Sequence, residues 1–170
     1  KSDLAPYDIW EKEKLITVTG GVSDYKNDYL FIVKTLEEII TKYDLKLKAI
    51  GYDSHNADGF LSSLDIFGCP LVEIKQSARF LNDATSDLQL LIKQGDVEYD
   101  KSNGLMIWSF VNAQVVANSF GEIKVDKEQG KRNKRIDPVD AAIDAHLIAM
   151  KPTVQIDLDD SIGKFMDLMG

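Results

Sequence analysis

Leu45-Lys46-Leu47-Lys48-Ala49-Ile50-Gly51-Tyr52-Asp53 is the stretch on which the fold turns. Its first four residues alternate apolar and charged, and the next four carry almost no polar side chains, as in a strand that enters a sheet covered on both faces. It closes on a carboxylate. Such a strand belongs to an open α/β architecture, where ligands gather beyond the carboxyl ends of the strands because loops there surround a crevice. Asp53 is therefore the first candidate site residue.

Upstream, residues 25–43 place Tyr29, Ile32, Val33, Leu36, Ile39 and Ile40 at helical spacing with charges opposite, which predicts an amphipathic helix. Before it, Leu15-Ile16-Thr17-Val18-Thr19 is β-branched and is stopped by Gly20-Gly21, which predicts a strand and a turn. Downstream, residues 57–67 read as a helix, 70–74 as a strand and 78–94 as a helix ended by Gly95. Strands and helices alternate, the pattern of a layered α/β domain. Residues 105–117 are apolar almost all round, and their length favours a buried helix over a strand; residues 119–125, with Gly121 inside, suggest a strand or ribbon. A last helix begins with Asp137 as N-cap and Pro138 at the first helical position, and ends at Lys151-Pro152. One domain over residues 1–150 is expected, with 151–170 as a tail or docking helix.

Composition narrows the function. A formal charge of −8 argues against a protein that coats nucleic acid with its whole surface, while leaving room for a local basic strip. Cys69 is the single cysteine, which excludes an internal disulfide and a thiolate zinc cluster and is compatible with a reducing, intracellular setting. Between Gly68 and Pro70, with no partner histidine, it reads as a buried apolar thiol. No apolar run is long enough to span a bilayer, Lys1-Ser2-Asp3-Leu4 lacks a signal-peptide core, and no membrane is expected. Neither a P-loop nor a Gly-x-Ser-x-Gly elbow occurs.

The chemistry concentrates in Arg135-Ile136-Asp137-Pro138-Val139-Asp140-Ala141-Ala142-Ile143-Asp144. Asp137 and Asp140, three residues apart at a helix start, can point towards one rim. The same pattern also serves as ordinary capping, because acids favour the positive end of a helix. Two-metal phosphodiester cleavage needs carboxylates from separate segments, since each Mg²⁺ or Mn²⁺ takes oxygen ligands while keeping positions for water and phosphate. Asp53 and Asp137 suit that role, with Asp140 in reserve. Residues 124–135 hold six cations in twelve residues, so positive charge abuts the acids. Lys131, Arg132, Lys134 and Arg135 are candidates for a DNA backbone, although a solvated loop explains them equally well. His55 reads as a loop histidine and His146 as structural, while Trp10, Trp108 and the tyrosines belong to a core or its rim rather than to a base-stacking platform.

Several segments carry a family likeness: Tyr7-Asp8-Ile9-Trp10 with Leu15 to Gly21, Ile50-Gly51-Tyr52-Asp53, Val72 to Gln76 with the helix to Gly95, Trp108 through Asn112, and Arg135 to Ala141. In this order, over residues 7–150, the chain resembles the carboxyl-terminal nuclease domain of bacteriophage large terminase subunits. The resemblance implies an α/β, RNase H-like mixed sheet flanked by helices, and a Mg²⁺- or Mn²⁺-dependent endodeoxyribonuclease that cuts concatemeric viral DNA. It implies Asp53 and Asp137 as catalytic metal ligands, with Asp140 assisting. It implies double-stranded DNA, an ATPase domain in the parent chain, a small terminase subunit and a portal protein as partners, in the cytoplasm of an infected or lysogenic bacterial host. The family's first strand carries another catalytic aspartate upstream of the matching segment, and Asp3 and Asp8 stand in unsuitable contexts to replace it. A sheet lacking its first strand or strands, and an isolated chain unable to cleave, are therefore expected. The rival reading is a non-catalytic RNase H-like docking module of the packaging machinery; a third is an α/β enzyme acting on a small phosphate ester.

Overall fold

The computed structural model describes residues 5–19, 29–54, 57–127 and 134–151. In chain order they form α1 (Tyr7–Lys12), α2 (Tyr29–Lys42), β1 (Ile50–Tyr52), α3 (Asp58–Leu64) running into a 3-10 turn (Asp65–Phe67), β2 (Leu71–Glu73), α4 (Ala78–Gln94), α5 (Gly104–Asn112), β3 (Ala113–Ala117), β4 (Ile123–Lys127) and α6 (Asp137–Ala149). None of the described helices is long and apolar enough to cross a membrane.

β1 and β2 pair in parallel, Ile50 with Leu71 and Tyr52 with Glu73, so β1-α3-β2 is a crossover unit whose strand ends face the same way. β3 and β4 pair antiparallel as a separate hairpin, Ala113 with Lys127 and Ala117 with Ile123. Its turn is closed by Asn118, whose Oδ1 accepts from the amides of Phe120 and Glu122 at 2.9 and 3.0 Å, and by Gly121 at φ 79°. Between the two sheets α4 and α6 pack together, burying Ile74, Leu81, Ala84, Val139, Ile143 and Leu147 in one cluster. Gly95 ends α4 as expected, in the left-handed conformation, and at the start of the helix Ser77 accepts from the amide of Phe80.

Five expectations are corrected. Of residues 45–53 only Ile50–Tyr52 pairs, because the chain leaves α2 through Asp44 at φ 49° and the Leu45 amide is spent on the carbonyl of Ile40. Leu15 to Thr19 joins no ladder among the described residues: the Leu15 amide donates to Trp10, and the segment lies along α2 across a cavity of about 440 Å³ that Phe31, Ile32 and Ile39 also line. A strand needs a strand beside it to satisfy its backbone, and here its described neighbour is a helix. Residues 105–117 are not one helix. They change from α5 to β3 at Ala113, where φ −81° and ψ 138° turn the chain extended and Val115 and Val116 meet Val125 and Lys124. The predicted helix 57–67 stops at Leu64, tightens to 3-10 and ends on left-handed Gly68. Cys69 is half-buried rather than buried. Of the expected tail, only Lys151 lies within the described residues.

Candidate functional site

The two parallel strands end at one edge, and the residues just past them, Asp53 after β1 and Gln76 after β2, stand on the same rim. α6 approaches that rim from its amino-terminal end. Its packing on β1 is close: a Cβ on Gly51 would lie 3.0 Å from Ile148 Cδ1 and 3.2 Å from Ile74 Cγ1, so glycine permits the approach. At the other end of α6 the cap is Ile136, which offers no side-chain hydrogen bond, and Asp137 lies inside the first turn. This corrects the expectation of Asp137 as N-cap. The carbonyl of Ile136 already accepts from Val139 and Asp140 at 2.9 and 3.0 Å, and the Val139 amide also donates to Ser109 Oγ at 3.1 Å, a fully buried hydroxyl supplied by α5. Capped from another helix, α6 leaves the Asp137 carboxylate to the crevice.

At about 100° per residue, Asp137, Asp140 and Asp144 fall within an arc of about 60°, beside the stripe of Val139, Ile143 and Leu147 that is buried in the core. β4 supplies the third wall. It is tied to α4 by the Ile123 amide donating to Asn82 Oδ1 at 2.9 Å, and Lys124 and Asp126, two apart on the strand, form an ion pair at 3.5 Å. These elements enclose a polar crevice of about 240 Å³ lined by Asp53, Gln76, Lys124, Asp126, Asp137 and Asp140, with Lys127, Lys134 and Arg135 at its margin. Arg135 Nε donates to the Tyr7 hydroxyl at 3.3 Å. Tyr7 stands edge-on to Trp10, which is buried against Trp108 of α5, so α1 braces the segment leading into α6.

The crevice is crowded with like charge. Partial burial pushes the Asp140 carboxyl up to about 6, and Asp137, Asp144 and Asp126 push the same way, while Lys124 opposes them. Asp144 is also raised by burial; the Gln76 amide, donating to both of its oxygens at 3.1 and 3.2 Å, pulls it back, and Asp53 adds repulsion.

Of the residues singled out from sequence, Asp53, Asp137 and Asp140 come together here, and Lys134 and Arg135 line the same crevice. Lys131, Arg132 and His55 lie outside the described residues. His146 is structural, its Nε2 2.7 Å from Asp87 across the α4–α6 contact. Sequence reasoning missed Gln76, Lys124, Asp126 and Asp144. Asp144 was findable, being seven residues from Asp137 and so on the same helical face, whereas Gln76 has no local signal.

The donors are hard oxygens of the kind Mg²⁺ and Mn²⁺ take, and a cation among them would relieve the repulsion that adds to burial in lifting Asp140. Among the described residues no three acidic, histidine or cysteine side chains form a group able to hold one ion. The chemistry of the donor set fits a divalent metal, and the described side chains would provide part of its shell.

A family model described as terminase large subunit, endonuclease domain, matches residues 5–152. The terminase large subunit of Enterobacteria phage HK97 is 36% identical over 139 residues, covering 81% of this chain and 26% of that protein. The crystal structure of the HK97 bacteriophage large terminase superposes with a TM-score of 0.72 and 32% identity, over 86% of this chain and 29% of that one. The chain thus spans only about a quarter of the length of the relative it matches.

Proposed function

We propose that this chain, which belongs to the terminase large subunit endonuclease-domain family and has that domain's RNase H-like α/β fold, is the part of a phage packaging enzyme that cuts concatemeric double-stranded DNA with Mg²⁺ or Mn²⁺. The observation that carries the reading is the meeting of Asp53, from the end of β1, with Asp137 and Asp140, from α6, in one crevice with a basic margin. Asp53 and Asp137 would hold the metal, and Asp140 would assist. When bound, the ion supplies Lewis-acid stabilisation and an activated water at the scissile phosphate. The chain's own residues do the positioning. Ser109 fixes where α6 begins, Gln76 orients Asp144 beside the site, and Lys134 and Arg135, together with Lys131 and Arg132, approach the DNA backbone. Among the described residues these carboxylates complete no three-membered group able to hold one ion, so they would supply only part of the metal's shell. An ATPase domain in the parent chain, a small terminase subunit and a portal protein are the partners that go with this role, in the cytoplasm of an infected or lysogenic bacterial host.

The same incomplete group favours a second reading, a docking module without cleavage of its own. Plasmid cleavage in Mn²⁺ by a protein of the relatives' full length, beside its Asp137→Asn variant, separates the two. Cleavage lost in the variant supports the nuclease; equal cleavage removes Asp137 from catalysis, and no cleavage by either favours docking.

A further inference from the structure

We propose that Lys124 is a further catalytic residue: its ammonium, held in the carboxylate crevice by β4, contacts the phosphate of the strand being cut and stabilises the charge that develops there. The inference rests on the nuclease reading above.

Lys124 is placed by rigid structure. It sits opposite Val116 within a five-residue antiparallel ladder, next to Ile123, whose amide is anchored to Asn82 of α4. Its side chain is only 28% exposed and lines the crevice between the β1 end and α6. Lys127, by contrast, ends its strand exposed, and Arg135 is exposed and tied to Tyr7.

The ammonium is not used up by its neighbour. The 3.5 Å to Asp126 Oδ2 is well beyond a tight charge-assisted hydrogen bond, and a lysine has three donors to place. Among the described residues it is the cation that opposes burial and three acids at the Asp140 carboxyl.

Charge counting points to an anion as the partner. Asp53, Asp126, Asp137 and Asp140 are four negative charges on the crevice wall, and Lys124, Lys127, Lys134 and Arg135 are four positive ones. A divalent ion would leave the crevice net positive, which suits a phosphodiester approaching the carboxylates. A preorganised cation that meets charge in the transition state acts on the rate as well as on binding.

The rival explanation is that Lys124 merely neutralises Asp126 and Asp140 until a metal arrives. The two roles part on three measurements made with a protein of the relatives' full length. If Lys124 meets phosphate, K124M lowers the single-turnover rate of plasmid cleavage in Mn²⁺ by about 100- to 1000-fold. In the cleavage-silent D137N background, K124M also lowers the slope of log affinity against log salt for a short duplex by about 0.9, one phosphate contact. The Mn²⁺ concentration for half-maximal rate stays within about twofold, and K124R keeps the salt slope while recovering only part of the rate, because a guanidinium fork does not reproduce a point ammonium. An unchanged salt slope with half-maximal Mn²⁺ moved to lower concentration would show a counter-ion and overturn the proposal. Wild-type-like values on all three measurements would also overturn it while leaving the nuclease reading intact, provided D137N abolishes cleavage. If the wild type does not cleave, the nuclease reading and this inference fall together.

Discussion

Replacing Asp140 with asparagine should stabilise the metal-free domain at neutral pH and have no such effect in acid. The carboxyl rises from 3.8 to about 6 because burial and three neighbouring acids disfavour its charge. About two pKa units correspond to ~3 kcal/mol in a dry site. The side chain is only half-buried, so solvent screening cuts this to about 1 kcal/mol. The sign follows from linkage. With the folded pKa above the unfolded one, the favourable contribution of the protonated form is complete below about 3.8 and is lost as pH rises through 6. Asparagine, which cannot ionise, escapes that loss. In EDTA at pH 7.5, Asp140→Asn should therefore melt about 2–4 °C higher than the parent, a difference that closes towards pH 4. Added Mn²⁺ should narrow the difference by stabilising the parent more than the variant. Thermal melts of both proteins across this pH range in EDTA provide the test. A variant that is less stable at pH 7.5, or a gain that does not change with pH, would refute the electrostatic account of the crevice.

Two further substitutions probe how α6 is held in place. Ser109→Ala removes the buried hydroxyl that accepts from Val139, although that amide keeps the Ile136 carbonyl, so the loss should be typical for a cap rather than at the top of the range, about 1 kcal/mol; a melt within 0.5 °C of the parent, about an eighth to a quarter of the shift that loss would give, would show the contact to be incidental. Gly51→Ala puts a methyl 3.0 Å from Ile148 Cδ1 and 3.2 Å from Ile74 Cγ1, and should cost about 1–2 kcal/mol in urea unfolding, eased if Ile148 changes rotamer; an unchanged midpoint would mean that β1 and α6 have room to separate.

What the sequence made legible were the elements with a strong period or strong punctuation. Helix α4 lies between Ser77 and Gly95 as read, and Asp53 stands at a strand end because the apolar run before it stops there. Residues 105–117 failed for a physical reason: a segment apolar on every side carries no period, and the partner strand β4, not local preference, turns its second half extended. Asp137 was assigned a capping duty that the Ser109 hydroxyl performs instead, from 30 residues away. Distance in sequence also hid Gln76, which reaches Asp144 across 68 residues. Lys124 and Asp126 were visible as charges, but only the ladder with β3 shows that they share a face towards the acids.

The double duty of α6 limits how a domain of this kind can change over time. One side of the helix holds Val139, Ile143 and Leu147 in the core while the adjacent side carries Asp137 and Asp140 to the crevice, with Asp144 beside it. Point changes at exposed positions such as Ala141 and Ala145 disturb neither stripe. Loss or gain of a single residue after Asp137 rotates everything beyond it by about 100°. Such an event would bury acids or strip the core, and no compensating substitution nearby would restore both sides. Lineages carrying this helix are therefore free to vary its letters but not its length, and a grafted version must be transplanted as an uninterrupted block.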